Sequence, residues 1–267
     1  MITALIFASF TGFTRSYVVP TGSRPAGMGN AFVSQHNEFS VFQNQAGLAA
    51  FDKTSVSFFF ENKFFVNQMS VRAGVLTFPT TRGNFAIQYN SFGPPAYRES
   101  NAGIAYSTFL SEKLSAGLQL NYFGTRLPED NVTAMSVGFE VGAIYQLSER
   151  TFMGVHLANP YSSQVNTTMY SDVIPWRVKI GGHTQFTDDF VFSYETEMME
   201  GYLPFLKVGA QWEAAEGFFI RGGVNTAPVR FYTGFGYETK FFTFDTSFSY
   251  HQYLGYVPSV SLIFSFF

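Results

Sequence analysis

The chain has no cysteine among its 267 residues. Disulfides, thiol catalysis and cysteine-held metal are therefore excluded, and an oxidising compartment is permitted. Charge is scarce as well. Asp, Glu, Lys and Arg make up 13%, about half the usual share for a soluble domain. The net charge of −3 predicts no nucleic-acid partner. After the N-terminus there is no apolar run of about 18 residues, so helical membrane spans are not expected. Gly-x-Ser-x-Gly, His-Glu-x-x-His and a phosphate loop ending in Gly-Lys-Ser/Thr are all missing. No enzyme, cofactor or metal site is expected.

Aromatic residues are what the chain has in excess, at 19% with 34 Phe. Mean hydropathy is nonetheless only +0.05. Apolar residues are spread along the chain at every second position. Leu114, Ala116, Leu118, Leu120 and Tyr122 alternate with Ser115, Gly117, Gln119 and Asn121. Phe242, Phe244, Phe248 and Tyr250 alternate with Thr243, Asp245, Ser247, Ser249 and His251. The last residues, Ser259 to Phe267, put Val260, Leu262, Phe264 and Phe266 on one face and Ser259, Ser261 and Ser265 on the other. Apolar-out, polar-in alternation ending on Phe264, Phe266 and Phe267 predicts the closing strand and assembly signal of an outer-membrane β-barrel. A soluble sandwich would carry charge on its exposed faces; here the polar face is Ser, Gly, Thr, Gln and Asn.

The parse gives fourteen strands: 55–61, 66–78, 84–92, 97–109, 114–125, 133–147, 151–158, 175–187, 190–199, 205–214, 217–225, 229–238, 241–251 and 257–267. The even count puts both termini on one side, predicted to be periplasmic, in the outer membrane of a Gram-negative bacterium. The connections alternate accordingly. Short charged turns fall at 79–83, 110–113, 147–150, 187–189, 214–217 and 238–240. Most of the opposite ones are longer: 92–99, 126–132, 159–174 and 252–258. Two, near Asn62 and Thr226, are short.

Strand parity predicts the charges that face inward: Arg72, Arg177, Lys179, Lys207, Arg221 and Arg230 against Glu140, Glu195, Glu197, Glu213, Glu238 and Asp245. This balanced set suits a cross-linked lumen better than a pore selective for one ion sign. Arg177 and Lys179 are expected to pair across the ladder with Glu195 and Glu197. His156, His183 and His251 share the inward parity and read as hydrogen-bonded lumen residues. Inward apolar candidates are few: Phe59, Ile144, Phe219 and Tyr232. Inward glycines at Gly222 or Gly223, Gly234 and Gly236 are expected to make room for something inside the barrel.

The N-terminal part is organised differently. Residues 1–17 read as an export signal, with the apolar run Ala4 to Phe13 and a break near Ser16 to Val19, although no basic residue precedes the run. Residues 18–53 are not strand-like and precede the barrel domain, 54–267. They contain Arg24-Pro25-Ala-Gly27-Met-Gly29-Asn30-Ala-Phe-Val33 and Asn44-Gln-Ala46-Gly47-Leu48. These stretches resemble the N-terminal region of the FadL-like outer-membrane barrels, with Gln45 in place of the usual Pro. The resemblance implies a fourteen-stranded barrel with the segment folded into its lumen as a hatch. Within that superfamily, the short chain and modest loops lead us to expect a role like that of PorV or PorQ, in a type IX secretion or surface-attachment assembly. The alternative is a passive channel for hydrophobic small molecules. Expected partners are outer-membrane lipid, the barrel-assembly machinery, and other outer-membrane or surface proteins.

Overall fold

The computed structural model describes residues 21–94, 97–126, 133–166, 171–253 and 255–266. The expected export signal, residues 1–17, and Phe267 lie outside them. The strands run β1 Ser55–Asn62, β2 Ser70–Thr80, β3 Gly83–Phe92, β4 Arg98–Ser111, β5 Leu114–Arg126, β6 Thr133–Ser148, β7 Thr151–Ala158, β8 Ser163–Asn166, β9 Ser171–Ile174, β10 Arg177–Thr187, β11 Phe190–Met199, β12 Phe205–Ala215, β13 Phe218–Thr226, β14 Val229–Glu238, β15 Phe242–His251 and β16 Gly255–Ser265. All but β8 and β9 close into one antiparallel barrel of fourteen strands, each paired to its sequence neighbours, with β1 against β16. Closure leaves no free edge, so every strand can satisfy its backbone groups within the wall. No helix among the described residues is long and apolar enough to cross a membrane.

The period of two governs burial. Along β5, Gln119 and Asn121 are buried while Leu118 and Leu120 are exposed. The outer surface carries Ile104, Leu120, Val137 and Phe231, the inside-out arrangement that a lipid-facing wall requires. Turns at one end are tight. β4 gives way to β5 across Glu112 and Lys113 alone, and β6 to β7 across Glu149 and Arg150.

At the loop end two expectations change. The connection after β1 is seven residues, 63–69, with two short 3-10 turns and positive φ at Phe64 and Phe65. Strand β2 therefore starts at Ser70, not at 66. The loop between β7 and β10 builds the β8–β9 hairpin, in which Ser163 pairs with Ile174. The side chain of Asn159 donates to the carbonyl of Ile174 and ties the hairpin base.

Candidate functional site

Residues 21–51 line the inside of the barrel, and they track the wall in order. Ser23 bonds Ser261 and Ser259 on β16 at 2.8 and 2.9 Å. Arg24 reaches Glu238 on β14 at 2.6 Å and lies 3.8 Å from Asp245 on β15. The N–H groups of Phe32 and Val33 donate to Glu195 on β11, both at 2.9 Å. Ser34 meets His183 on β10 at 2.9 Å. Asn44 donates to carbonyls of Val155 on β7 and Ala143 on β6. Gln45 donates to Glu140 on β6 at 2.6 Å. Ser107 on β4 donates to the Ala46 carbonyl, and Asn84 on β3 to those of Leu48 and Phe51. The segment thus makes one lap of the inner wall before β1 begins.

Local chemistry shapes the lap. Ser23–Gly27 forms a single helical turn. The chain then reverses through Gly29 and Asn30, both at positive φ, with the Asn30 N–H donating to the Pro25 carbonyl at 2.8 Å. Asn37 and Asn44 each accept a backbone N–H to start the short 3-10 helices Glu38–Phe42 and Gln45–Ala50, the role that favours Asn at such positions. Wall glycines give the lap its space. A Cβ on Gly223 would lie 2.8 Å from Gly29 Cα, one on Gly234 3.0 Å from Gly27 Cα, and one on Gly117 2.6 Å from the Ala46 nitrogen. Gly47 itself packs against Ser40, with no room for a side chain. In this non-spanning segment, burial lowers the His36 pKa and raises that of Glu38, which favours the neutral form of each.

The inward charges form three groups. Lys207 is one hub: its ammonium bonds Glu195 at 2.7 Å and also Glu197, while Arg177 stands 3.7 Å from Glu197. Arg221 and Asp245 pair at 2.6 Å with both side chains fully buried. Glu140 accepts from Gln45, from His156 at 2.9 Å and from Asn121 at 2.7 Å. Arg230 is half-buried opposite His251 in the β14–β15 register. Glu213 accepts the Gly217 N–H at 2.8 Å in its turn.

Two assignments need correction. Lys179 donates to Gln43 of the inner segment at 2.7 Å and not to a neighbouring carboxylate, because the lap brings a nearer acceptor and Lys207 occupies both glutamates. Arg72 points outward. Val71, Ala73, Val75 and Thr77 are the buried row of β2. Arg72 sits near the loop end, where a guanidinium can extend to the headgroup layer while apolar residues take the interior.

That interior row reveals a side of the lumen that parity left out. Phe59, Val71, Ala73, Val75, Ala86, Ala105 and Ile263 on β1–β4 and β16 face inward and pack on Phe39, Val41, Phe42 and Leu48 of the inner segment. Phe39 meets Phe59 edge-on at 6.3 Å between ring centres. The lumen therefore has an apolar sector over β1–β4 and a charged sector over β6–β15.

Ser34 and His183 form a buried pair, but the carboxylate Glu195 is engaged by the Phe32 and Val33 amides and Lys207. Among the described residues no group of three His, Asp or Glu side chains could hold a metal ion.

No family model matches the sequence, and no curated protein is similar to it. Solved structures do match. The chain is similar to the Ralstonia pickettii toluene transporter TbuX, with a TM-score of 0.68 and 11% identity over 91% of this chain and 97% of that one. It is similar to the monoaromatic hydrocarbon channel CymD, at 0.69 and 16% over 93% and 98%. A Pseudomonas aeruginosa FadL homologue matches at 0.61 and 13% over 93% and 98%. At such identities the likeness is one of architecture: the chain has the closed fourteen-stranded fold of FadL-type hydrocarbon channels.

Proposed function

We propose that the chain is a passive outer-membrane channel for small hydrophobic molecules, with the inner segment as its hatch. The observation that carries this reading is the apolar sector. A water-filled pore has no use for Phe59, Val71, Ala73 and Val75 on its inner face, whereas a hydrophobic solute needs a continuous apolar surface to leave water. The fold shared with structures titled as toluene and monoaromatic hydrocarbon channels supports the same reading. It favours the second of the two functions expected from the sequence over the secretion role. The protein is a conduit and not an enzyme. Lipid around the aromatic outer face and the assembly machinery that would read Phe264, Phe266 and Phe267 are the partners such a barrel calls for.

The test is equilibrium dialysis of toluene against the purified barrel in amphipol, paired with toluene uptake by cells producing it. Wild type should bind and admit toluene. Ala73→Trp, which adds bulk to the apolar sector where the inner segment packs on it, should lower both at least severalfold while the barrel keeps its heat-modifiable gel mobility. Equal binding and uptake with the filled sector would sink the reading.

A further inference from the structure

On β3 and β4 the apolar sector narrows to Ala86 and Ala105, and amide side chains take over the inner face toward the loop end. Across the β2–β3 ladder Ala73 faces Asn90 and Val75 faces Gln88. On β4, Asn101 stands opposite Asn90 and Gly103 opposite Gln88, with Asn121 of β5 next in the row. Gln88, Asn90, Asn101 and Asn121 are all buried, none more than 7% exposed.

Asn121 is engaged through both its oxygen and its nitrogen. Its Oδ1 accepts from Gln88 Nε2 at 3.1 Å and Gln119 Nε2 at 2.7 Å, and its Nδ2 donates to Glu140 at 2.7 Å. What this leaves over is acceptors. Gln88 Oε1 and Asn101 Oδ1 have no hydrogen-bond partner among the described residues. They sit on adjacent strands one diagonal step apart, close enough to face a single group. Buried acceptors of this kind need a donor. Both oxygens are neutral amide acceptors, so a neutral hydroxyl suits them; the buried carboxylate of Glu99, two residues before Asn101 on the same face of β4, accepts from the Tyr97 hydroxyl.

We propose that this junction is a binding site for a small neutral amphiphile of the phenol class. The ring takes the place of inner-segment side chains that now pack on Phe59, Ala73 and Val75, and its hydroxyl donates to Gln88 and Asn101. The proposal rests on the channel reading and sharpens it: a bare hydrocarbon fits the apolar half of the site and leaves the amide half unmet.

Toluene and p-cresol differ by one hydroxyl and separate the two ideas. Equilibrium dialysis of the full chain in amphipol, with each solute in turn, should show p-cresol held about tenfold more tightly, the effect of one net hydrogen bond. In the double variant Gln88→Leu/Asn101→Leu the preference should vanish while toluene binding persists, which also reports that the barrel is folded. Equal binding of both solutes to wild type, or a preference that survives the double variant, overturns the proposal and leaves the channel standing. That result would assign the two oxygens to ordered water. Binding of neither solute overturns the proposal and the channel reading together.

Discussion

Replacing Glu195 with Gln should loosen the inner segment without disturbing the wall. Glu195 holds the Phe32 and Val33 amides through one oxygen, both at 2.9 Å, and Lys207 through the other. Glutamine keeps one acceptor for the two amides but removes its charge, and its NH2 replaces the oxygen that Lys207 now uses. A hydrogen bond to a charged group contributes about 1.5–3 kcal/mol and a neutral one about 0.5–1.5, so two weakened bonds amount to about 2–3 kcal/mol. Lys207 retains Glu197 as a partner, so the substitution strands no buried cation and the strands keep their register.

Hydrogen exchange read by mass spectrometry on a peptide covering residues 28–36 measures this directly. Local opening made easier by that amount raises exchange about thirty- to a hundredfold, while peptides from β4–β6 exchange as in wild type. Unchanged exchange at 28–36 would refute the reasoning, because the segment would then be held by packing against the glycine-bearing wall and not by the carboxylate. Faster exchange everywhere would refute it differently, by showing that wall and segment open as one unit.

The same contacts give two further outcomes. Gly223→Val places side-chain atoms where Gly29 now sits, 2.8 Å from its Cα; the variant should still form a heat-modifiable barrel but expose residues 23–34 to limited proteolysis, and full protection would refute the close approach. Gln45→Pro restores the residue usual in the resembling barrels at the first position of a 3-10 helix, after an extended Asn44. That backbone suits proline. The change removes the Gln45–Glu140 bond at 2.6 Å, so we expect a loss of about 1.5–3 kcal/mol, read as a lower melting temperature in detergent; an unchanged or higher value would show that the bond contributes nothing net.

The wall was legible because alternation is a local signal and each short turn carries its own charged punctuation, as at Glu112-Lys113 and Glu149-Arg150. Strand β2 was harder for a physical reason. Val71, Ala73 and Val75 alternate with Arg72, Gly74 and Leu76, so both faces are largely apolar and Arg72 was the only marker of polarity. It points outward, because the interior there is greasy. The preceding Phe64-Phe65-Val66 run hid the seven-residue connection in the same way. His156 and His183 were legible as hydrogen-bonded lumen residues. Their partners, Glu140 and Ser34, were not, since these contacts join residues far apart in sequence. Gly117 could be placed on the inward face, yet what it accommodates depends on where the segment runs. The lap has no periodicity to announce it; only the folded wall orders Ser23, Phe32, Asn44 and Leu48 around it.

The two halves of the interior resist displacement unequally, and this bears on where the channel can open. Over β6–β15 the segment is fixed by directional bonds to Glu195, Glu140, Glu238 and His183. Such bonds weaken steeply with misalignment, and breaking one leaves a buried charge or donor unmet. Over β1–β4, beside the neutral bonds of Asn84 and Ser107 to segment carbonyls, the contacts are those of Phe39, Val41, Phe42 and Leu48 with aliphatic and aromatic neighbours. These are non-directional, and an apolar solute that slides between the faces replaces the contacts it displaces. A passing hydrocarbon therefore exchanges one apolar surface for another on this side, whereas on the other it would have to separate charge-assisted bonds that it cannot replace. On the channel reading the charged sector acts as hinge and anchor, and the path runs along the apolar row of β2, past Val71, Ala73 and Val75, toward Ala86 and Ala105.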